Sequence, residues 1–424
     1  MNQEKSGPRF FYGWVIVAAS LAVIAVSVGI TQSFGIFFKP LISEFGWSRA
    51  QVSLAFSLSF LSQGVFALGA GALSDRYGPK RVLVVSGLIF ALGNILMFGV
   101  HALWQFYLVY GLIHGMGRSG HYSTVVSTVP RWFTEKRGLA LGIMLSGGGV
   151  GNTLFPPLSQ YLITAFGWRL AFVLVGLIAG VVIVAAAQFI KYSPREAGLV
   201  PYGEAAVPEP TAVGVGLPET GGGGASGLSF RGALSTRALW LVLVAGILSN
   251  VAIQMTYVHL VAHATDVGLS AAFAASLFII IGGFNIVGKL SMGIFSDRFG
   301  RKAALVICFG LGAMAMLWLT QARTPWMFYA FATGFGFAYA GWIPQFPALM
   351  GDLFGLGSLG ALVGAVSLAN TLGSSTGAYL GGYIFDVRGS YDLAFVITAA
   401  GLIVGVALIL SVRAPRDTLY RGAV

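Results

Sequence analysis

The sequence has little charge: only 9% of its 424 residues are Asp, Glu, Lys or Arg, whereas 56% are hydrophobic. Soluble domains carry about 25% charged residues, so this much apolar surface exceeds what a soluble core can bury. The surplus is expected to face lipid, and the mean hydropathy of +0.83 favours the same interpretation. The single cysteine, Cys308, excludes a disulfide framework and a cysteine-ligated metal site.

Acidic residues are scarce as well, with 14 Asp and Glu against 25 Lys and Arg. The resulting net charge of +11 could indicate a nucleic acid partner. A simpler reason is that membrane proteins concentrate Lys and Arg in their cytoplasmic loops. We therefore predict a lipid bilayer, and no nucleic acid, as the environment of the chain.

Long apolar runs divide the chain into twelve segments. Each approaches or exceeds the roughly 20 apolar residues that a helix needs to cross a bilayer. They lie at 12–37, 51–74, 82–100, 104–130, 138–163, 169–190, 238–263, 271–296, 303–321, 326–350, 359–384 and 391–412. Prolines and the run Gly221–Gly224 separate the sixth segment from the seventh, a composition typical of a flexible linker. The sequence predicts two six-helix bundles, 1–191 and 237–424, joined by a cytoplasmic linker at 192–236.

The distribution of basic residues predicts the orientation of these spans. Of the 25 Lys and Arg, 18 fall in the loops that share a side with both termini and the linker, and five fall in the opposite loops. The bias places both termini and the linker in the cytoplasm. We expect a multi-pass protein of the cell's inner (plasma) membrane that acts as a monomer.

A charged turn occurs twice, once in each predicted bundle. Residues 71–78 read Gly-Ala-Leu-Ser-Asp-Arg-Tyr-Gly, and 222 positions later residues 293–300 read Gly-Ile-Phe-Ser-Asp-Arg-Phe-Gly. Each copy closes one apolar segment and opens the next, a pattern that indicates a duplicated transporter. Their carboxylates are expected at cytoplasmic span ends, close to Arg side chains and to helix N-termini, where a negative charge is favourable. Such contacts would bridge spans on the cytoplasmic side and hold the outward-facing state, so the turns are predicted to act as gates. The predicted gating residues are Asp75, Arg76, Asp297 and Arg298.

Twelve spans, a central linker and the repeated G-x-x-S-D-R-x-G turn resemble the major facilitator superfamily over nearly the whole chain. Two further stretches are similar to the monocarboxylate transporters and the oxalate–formate antiporters. These are Tyr12-Gly13-Trp14, and Arg131-Trp132-Phe133 followed by Lys-Arg-Gly-Leu-Ala-x-Gly at 136–142. The resemblance implies an all-α integral membrane fold: twelve transmembrane helices in two pseudo-symmetric six-helix bundles that rock about a central cavity.

The resemblance also implies roles for individual residues. A cation on the eighth span binds substrate carboxylate in such transporters, and Lys289 stands at that position. Asn285 takes the place, one turn earlier, at which proton-coupled members carry an acid. Tyr122 matches a tyrosine on the fourth span, and Asn370 replaces a lysine that the antiporters carry on the eleventh. These departures argue against proton coupling through an acid and against a dicarboxylate substrate.

Two basic side chains, Arg118 and Lys289, fall inside predicted spans, where a charge costs about 2.5–3.5 kcal/mol. All 14 acids lie in loops or at span ends, so no acid is expected at that depth to neutralise them. An anionic substrate would supply the missing charge. Alternatively, Arg118 is satisfied by backbone carbonyls and polar neighbours, or Lys289 extends toward the cytoplasmic end.

Histidines add candidate proton carriers, because histidine titrates near neutrality. His121 shares a helix face with Arg118 and Tyr122. His259 lies four residues before His263 on the seventh span, but the sequence provides no third ligand, so no metal and no cofactor are predicted. The predicted substrate-binding residues are Lys289, Arg118, Tyr122, Asn285, His121 and His259.

The sequence therefore predicts a secondary active transporter of small organic anions, chiefly monocarboxylates, that works by proton-linked alternating access. His121, His259 or the lysine itself would carry the proton. The alternative is exchange, in which one carboxylate leaves as another enters. A drug exporter would need an embedded acid, and a non-transporting sensor would be expected to carry a signalling domain or a long tail. An enzyme is not expected, because no acid–base or nucleophile–base pair occurs at cavity depth.

Overall fold

The computed structural model describes residues 11–203, 228–355 and 358–413, and within them the chain is helical, with one isolated bridge and no strand. Twelve spans follow one another and are numbered in chain order below. They are Gly13–Phe45, Arg49–Tyr77, Pro79–Gly99, 103–128, 137–166, 168–189, Arg237–Asp266, Ala271–Phe299, Arg301–Gln321, Pro325–Phe354, Leu359–Arg388 and Asp392–Ser411. The predicted all-α, twelve-helix arrangement is confirmed.

Eight helical stretches of the described residues are long and apolar enough to cross a membrane by length and composition. One of them, Arg137–Phe189, contains both the fifth and the sixth span, because Gly167 leaves the helical conformation (φ 79°, ψ 161°). The fourth, tenth and eleventh spans complete the twelve. The fourth buries Arg118, His121 and Thr124, so its polar side chains point into the protein rather than into lipid.

The second span begins at a well-defined capping box. The Ser48 hydroxyl accepts a hydrogen bond from the Gln51 amide (3.2 Å), and the Gln51 side chain accepts one from the Ser48 amide (2.9 Å). The two bonds satisfy amides that would otherwise lack partners at the helix start. The cap thereby holds Arg49, the first residue of the span, at the predicted outer side.

The duplicated turn has the same backbone geometry in both halves of the chain. Gly78 has φ 85° and ψ 154°, and Gly300 has φ 91° and ψ 153°. This region of backbone space is essentially restricted to glycine. Each glycine reverses the chain between two spans, so the sequence repeat is also a structural repeat.

Gly78→Ala and Gly300→Ala are each expected to lower the free energy of unfolding by about 1–3 kcal/mol, because a Cβ disfavours this φ. No heavy atom lies within 4 Å of a Cβ built at either position, so the loss would come from the backbone alone. Gly71→Ala is the matched control. Gly71 lies in the helix that precedes the first turn, and a Cβ built there also has no heavy atom within 4 Å. The melting temperature in detergent measures the effect, and equal values for all three variants would contradict it.

Three pairs of spans bring the two halves together: the first with the seventh, the second with the eleventh, and the fifth with the eighth. The Ser57 hydroxyl donates to the carbonyl of Ser375 (2.5 Å), and the Asn152 amide donates to the Tyr257 hydroxyl (2.7 Å). The halves are thus joined by buried polar contacts as well as by apolar packing.

Both ends of the predicted linker are held against the bundles. The Tyr202 amide donates to the Trp132 carbonyl (2.9 Å), and the Leu228 amide donates to the Phe354 carbonyl (2.9 Å). The flexible segment predicted at 192–236 therefore has fixed contacts at its start and its end, while 204–227 lie outside the described residues. The domain boundaries proposed from the sequence stay predictions.

Candidate functional site

A cavity of about 160 Å³ lies between the two halves, with walls from the first, second, fourth, seventh and tenth spans. Eleven residues line it, among them three glutamines, two tyrosines, a serine, a threonine and one cation, Arg118. None of the eleven is acidic. The cavity is therefore small and positively charged, with polar groups set in a wall that is largely apolar.

Arg118 is 5% exposed. One terminal nitrogen donates to the side-chain oxygen of Gln63 on the second span, and the guanidinium carbon lies 4.1 Å from the centre of the Phe60 ring. The Nε–H of Arg118 has no protein partner among the described residues. A guanidinium held by an amide and an aromatic face, with a donor to spare, can receive a carboxylate.

The segment before Arg118 departs from regular α-helix. Tyr107–His114 form a π-helix, and the α-helix resumes at Gly115. The Tyr110 and His114 rings stack at 4.3 Å, and both ring nitrogens of His114 are buried without partners in the described part of the chain. Such π-helical insertions are frequent at functional sites, and the sequence pattern predicted only a continuous helix here.

His121 and Tyr122 extend the site along the fourth span. The Nδ1 atom of His121 lies 2.9 Å from the hydroxyl of Ser27, which itself lines the cavity. Tyr122 also lines the cavity and is 46% exposed. The structure thus brings Arg118, His121 and Tyr122 close together. Arg118 and Tyr122 line the cavity, and His121 contacts it through the Ser27 hydroxyl.

The eighth-span candidates lie elsewhere. The Lys289 ammonium donates to the backbone carbonyl of Leu145 on the fifth span (3.3 Å), and Lys289 does not line the cavity that holds Arg118. Asn285 is 1% exposed, and its amide nitrogen has no partner among the described residues. Lys289 thus contacts the fifth span, and the roles of both residues in substrate binding stay predictions.

His259 lies near the predicted outer side. Its Nε2 atom is 2.8 Å from the carbonyl of Ala378, and its Nδ1 atom is 3.1 Å from the Tyr391 hydroxyl. The ring also packs edge-on against Phe38 at 5.2 Å. His259 therefore connects the first, seventh and eleventh spans and does not line the cavity. A role for it in proton transfer stays a prediction.

A cluster of charges joins the halves just beyond His259; we name it the outer closure. Asp266 pairs with Arg49 and with Lys39, each at 2.7 Å. The Asp386 carboxylate accepts from the amides of Arg49 (3.0 Å) and Ala50 (2.7 Å) at the start of the second span, where a negative charge is favourable. Across the described ranges, every ion pair between the halves lies in this cluster.

The predicted gating residues lie at the opposite side. Asp75 pairs with Arg131 (3.2 Å) within the first half, and Asp297 pairs with Arg301 (2.7 Å) within the second. Both carboxylate side chains are about two-thirds exposed, at 65% and 67%. In this conformation each turn braces its own half and does not bridge to the other. The Arg76 guanidinium lies 5.2 Å from the Tyr77 ring, and the gating roles of Arg76 and Arg298 also stay predictions.

Two groups of residues that lie at or near the site were not predicted from the sequence. Gln32, Gln63 and Gln254 line the cavity, and a long polar side chain inside an apolar run is a signal that could have identified them. Arg49 and Asp266 form the outer closure. Their signal in the sequence was weaker, because it consisted only of a few charged residues in the loops opposite the predicted cytoplasmic side.

Comparisons with known proteins show similarity along nearly the whole chain. A sequence model of the Major Facilitator Superfamily matches residues 15–293 and 262–422. The chain is 28% identical over 413 residues to monocarboxylate transporter 13 of Bos taurus, covering 97% of this chain and 92% of that protein. It is 28% identical over 421 residues to monocarboxylate transporter 11 of Mus musculus, with 96% and 88% covered.

Among solved structures, the chain matches a bacterial homolog of the human lysosomal transporter Spinster, whose crystal structure has an inward-facing and unoccupied conformation. The TM-score is 0.67, the sequence identity is 16%, and the match covers 97% of both chains. At this identity the likeness concerns the fold.

Proposed function

This chain belongs to the Major Facilitator Superfamily, and from that premise we propose that it carries small organic anions, chiefly monocarboxylates, by proton-linked alternating access. The fold predicted from the sequence is confirmed, and the chain is a multi-pass membrane transporter of a small molecule rather than an enzyme. The substrate class and the coupling to protons are the proposal.

The observation that carries the proposal is the Arg118 guanidinium in an acid-free cavity. A buried cation needs a compensating charge, and none of the cavity-lining residues is an acid. An anionic solute supplies that charge each time it binds. A cationic drug would instead be repelled, so this charge pattern argues against drug export.

Cavity size and the named relatives support the same substrate class. A volume of about 160 Å³ is below the roughly 300–1,000 Å³ of pockets that hold drug-sized ligands, so the solute is small. The relatives at 28% identity are named monocarboxylate transporters. A small acid with one carboxylate fits both the single cavity cation and the names of these relatives.

His121 is the proposed proton carrier, because its ring contacts the cavity through Ser27 at 2.9 Å. Its Nε2 atom has no partner within the described residues, so the ring has a nitrogen available for proton exchange. Exchange of anions remains the second candidate, because Asn285 stands where an acid was expected. In exchange, Arg118 stays charged throughout. The cavity then opens again to the first side of the membrane with a second anion bound in place of the first.

We expect purified protein in empty liposomes to accumulate labelled carboxylate under an inward proton gradient, and His121→Ala to lose that accumulation. His101→Ala is the control, since His101 is exposed in a loop. The same assay is also run with unlabelled anion inside the liposomes, and with neither internal anion nor a proton gradient. Uptake that requires internal anion, whatever the proton gradient, would replace symport by exchange.

We further propose that the two termini and the linker are cytoplasmic and that the monomer is the transporting unit. With this orientation the outer closure seals the outside of the protein. The described conformation is then one in which substrate leaves or enters on the cytoplasmic side.

A further inference from the structure

Two buried glutamines in the cavity wall lack partners for their side-chain oxygens. Gln32 on the first span is 5% exposed and Gln254 on the seventh is 4% exposed. The Oε1 atom of each receives no hydrogen bond from the described residues. Both residues line the same cavity as Arg118, and they come from opposite halves of the chain.

An unsatisfied buried acceptor destabilises the structure, so these amides are suited to a ligand that brings hydrogen-bond donors. Rotating an amide by 180° only exchanges an orphaned oxygen for an orphaned nitrogen, since each amide carries both a donor and an acceptor. A hydroxyl group satisfies either arrangement because it donates and accepts. An alkyl chain satisfies neither and would displace any water from the amides.

We infer that the solute is a carboxylate with hydroxyl groups on at least two of its carbon atoms. Its carboxylate contacts Arg118, and its hydroxyls hydrogen-bond to Gln32 and Gln254. This rests on the proposed function and narrows the substrate from monocarboxylates in general to hydroxylated ones. Because the two glutamines belong to opposite halves, one bound molecule bridges the halves as they move.

The test compares three acids with the same three-carbon skeleton: propionate, lactate and glycerate, which carry no, one and two hydroxyls. Purified protein is melted in detergent at increasing concentrations of each acid, because a ligand that binds the folded state raises the melting temperature. We expect the concentration that gives a fixed rise in melting temperature to fall about tenfold with each added hydroxyl, since a site with buried polar groups rejects analogues that leave those groups unpaired. Uptake into liposomes should follow the same order.

Variants locate the preference. Gln32→Leu and Gln254→Leu should each lose about tenfold in affinity for glycerate while leaving propionate nearly unchanged. Gln188→Leu is the matched control, because Gln188 is exposed on the sixth span and donates only to the Val184 carbonyl of its own helix. If a leucine variant does not fold, the comparison of the three acids on the parent protein still tests the inference.

An equal rise in melting temperature at equal concentrations of the three acids would overturn the inference and leave the proposed function standing. A loss of glycerate preference in Gln188→Leu equal to that in the cavity variants would also overturn it. Absence of both stabilisation and uptake with every carboxylate would overturn the proposed function and this inference with it.

Discussion

Arg118→Gln is expected to abolish saturable carboxylate uptake, with a loss of at least about thirtyfold in apparent affinity. The guanidinium is buried and is the one cation that lines the described cavity. Removing one partner of a buried, hydrogen-bonded charge pair costs about 2–5 kcal/mol. Arg118→Lys should retain part of the uptake, because the charge survives while the planar fork of donors is lost.

Two control variants show whether the loss belongs to the cavity. Arg388→Gln removes an exposed arginine at the end of the eleventh span and should leave uptake unchanged. Lys289→Gln breaks a contact with the Leu145 carbonyl and should reduce uptake less than Arg118→Gln does. Full uptake by Arg118→Gln together with none by Lys289→Gln would move the anion site to the eighth span, as the family resemblance implied.

Asp266→Asn is expected to open the outer side and raise the population of outward-open protein about five- to thirtyfold. Asp266 holds both Arg49 and Lys39 of the other half at 2.7 Å. The side chains of Asp266 and Arg49 are 27% and 14% exposed. The ion pair is therefore expected to stabilise the closed outer side by about 1–2 kcal/mol, between the values for a surface pair and a buried pair. Each 1.4 kcal/mol changes the population ratio tenfold.

Thiol labelling from outside measures this shift. A cysteine at Thr31, which lines the cavity, is introduced in a Cys308→Ser background, and an impermeant reagent is added at the outer side. Asp392→Asn is the matched control: its partner Arg323, at 3.9 Å, belongs to the same half. A labelling rate unaffected by Asp266→Asn would show that the closure does not hold the outer side.

A double mutant separates the ion pair from other effects of substitution. Arg49→Gln alone should also speed labelling, although the backbone amide of Arg49 would still donate to Asp386. Combined with Asp266→Asn its effect should be smaller than its effect alone, because both changes remove the Arg49–Asp266 pair. The remaining effect comes from the bond that Arg49 donates to the Tyr391 hydroxyl (2.6 Å). Fully additive rates would indicate that Arg49 and Asp266 act independently of each other.

The ends of spans show where sequence patterns were insufficient. The first span was predicted to end at residue 37, before Lys39 and Pro40. The helix instead continues to Phe45, and Lys39 reaches Asp266 on the seventh span. A charge that interrupts an apolar run can still lie inside a helix when its partner lies in another part of the fold.

The candidate site was predictable on each helix but not between helices. The 3.6-residue period places Arg118, His121 and Tyr122 on one face, and the structure brings all three to the cavity or to its wall. The same period places Lys289 and Asn285 on one face, yet Lys289 contacts the fifth span and neither residue lines the cavity. Periodicity defines which residues share a surface, whereas the neighbour of that surface depends on how the helices pack.

Composition and local pattern alone determined that this is an all-helical membrane protein with a duplicated turn, because bilayer thickness sets the length of an apolar run and a positive φ requires glycine. Only the tertiary structure decided which cation lines the cavity and which charges pair between the two halves. Arg118 and Gln63 are 55 residues apart, and Arg49 and Asp266 are 217 apart. Contacts between such distant residues depend on the packing of whole helices, which no local pattern encodes.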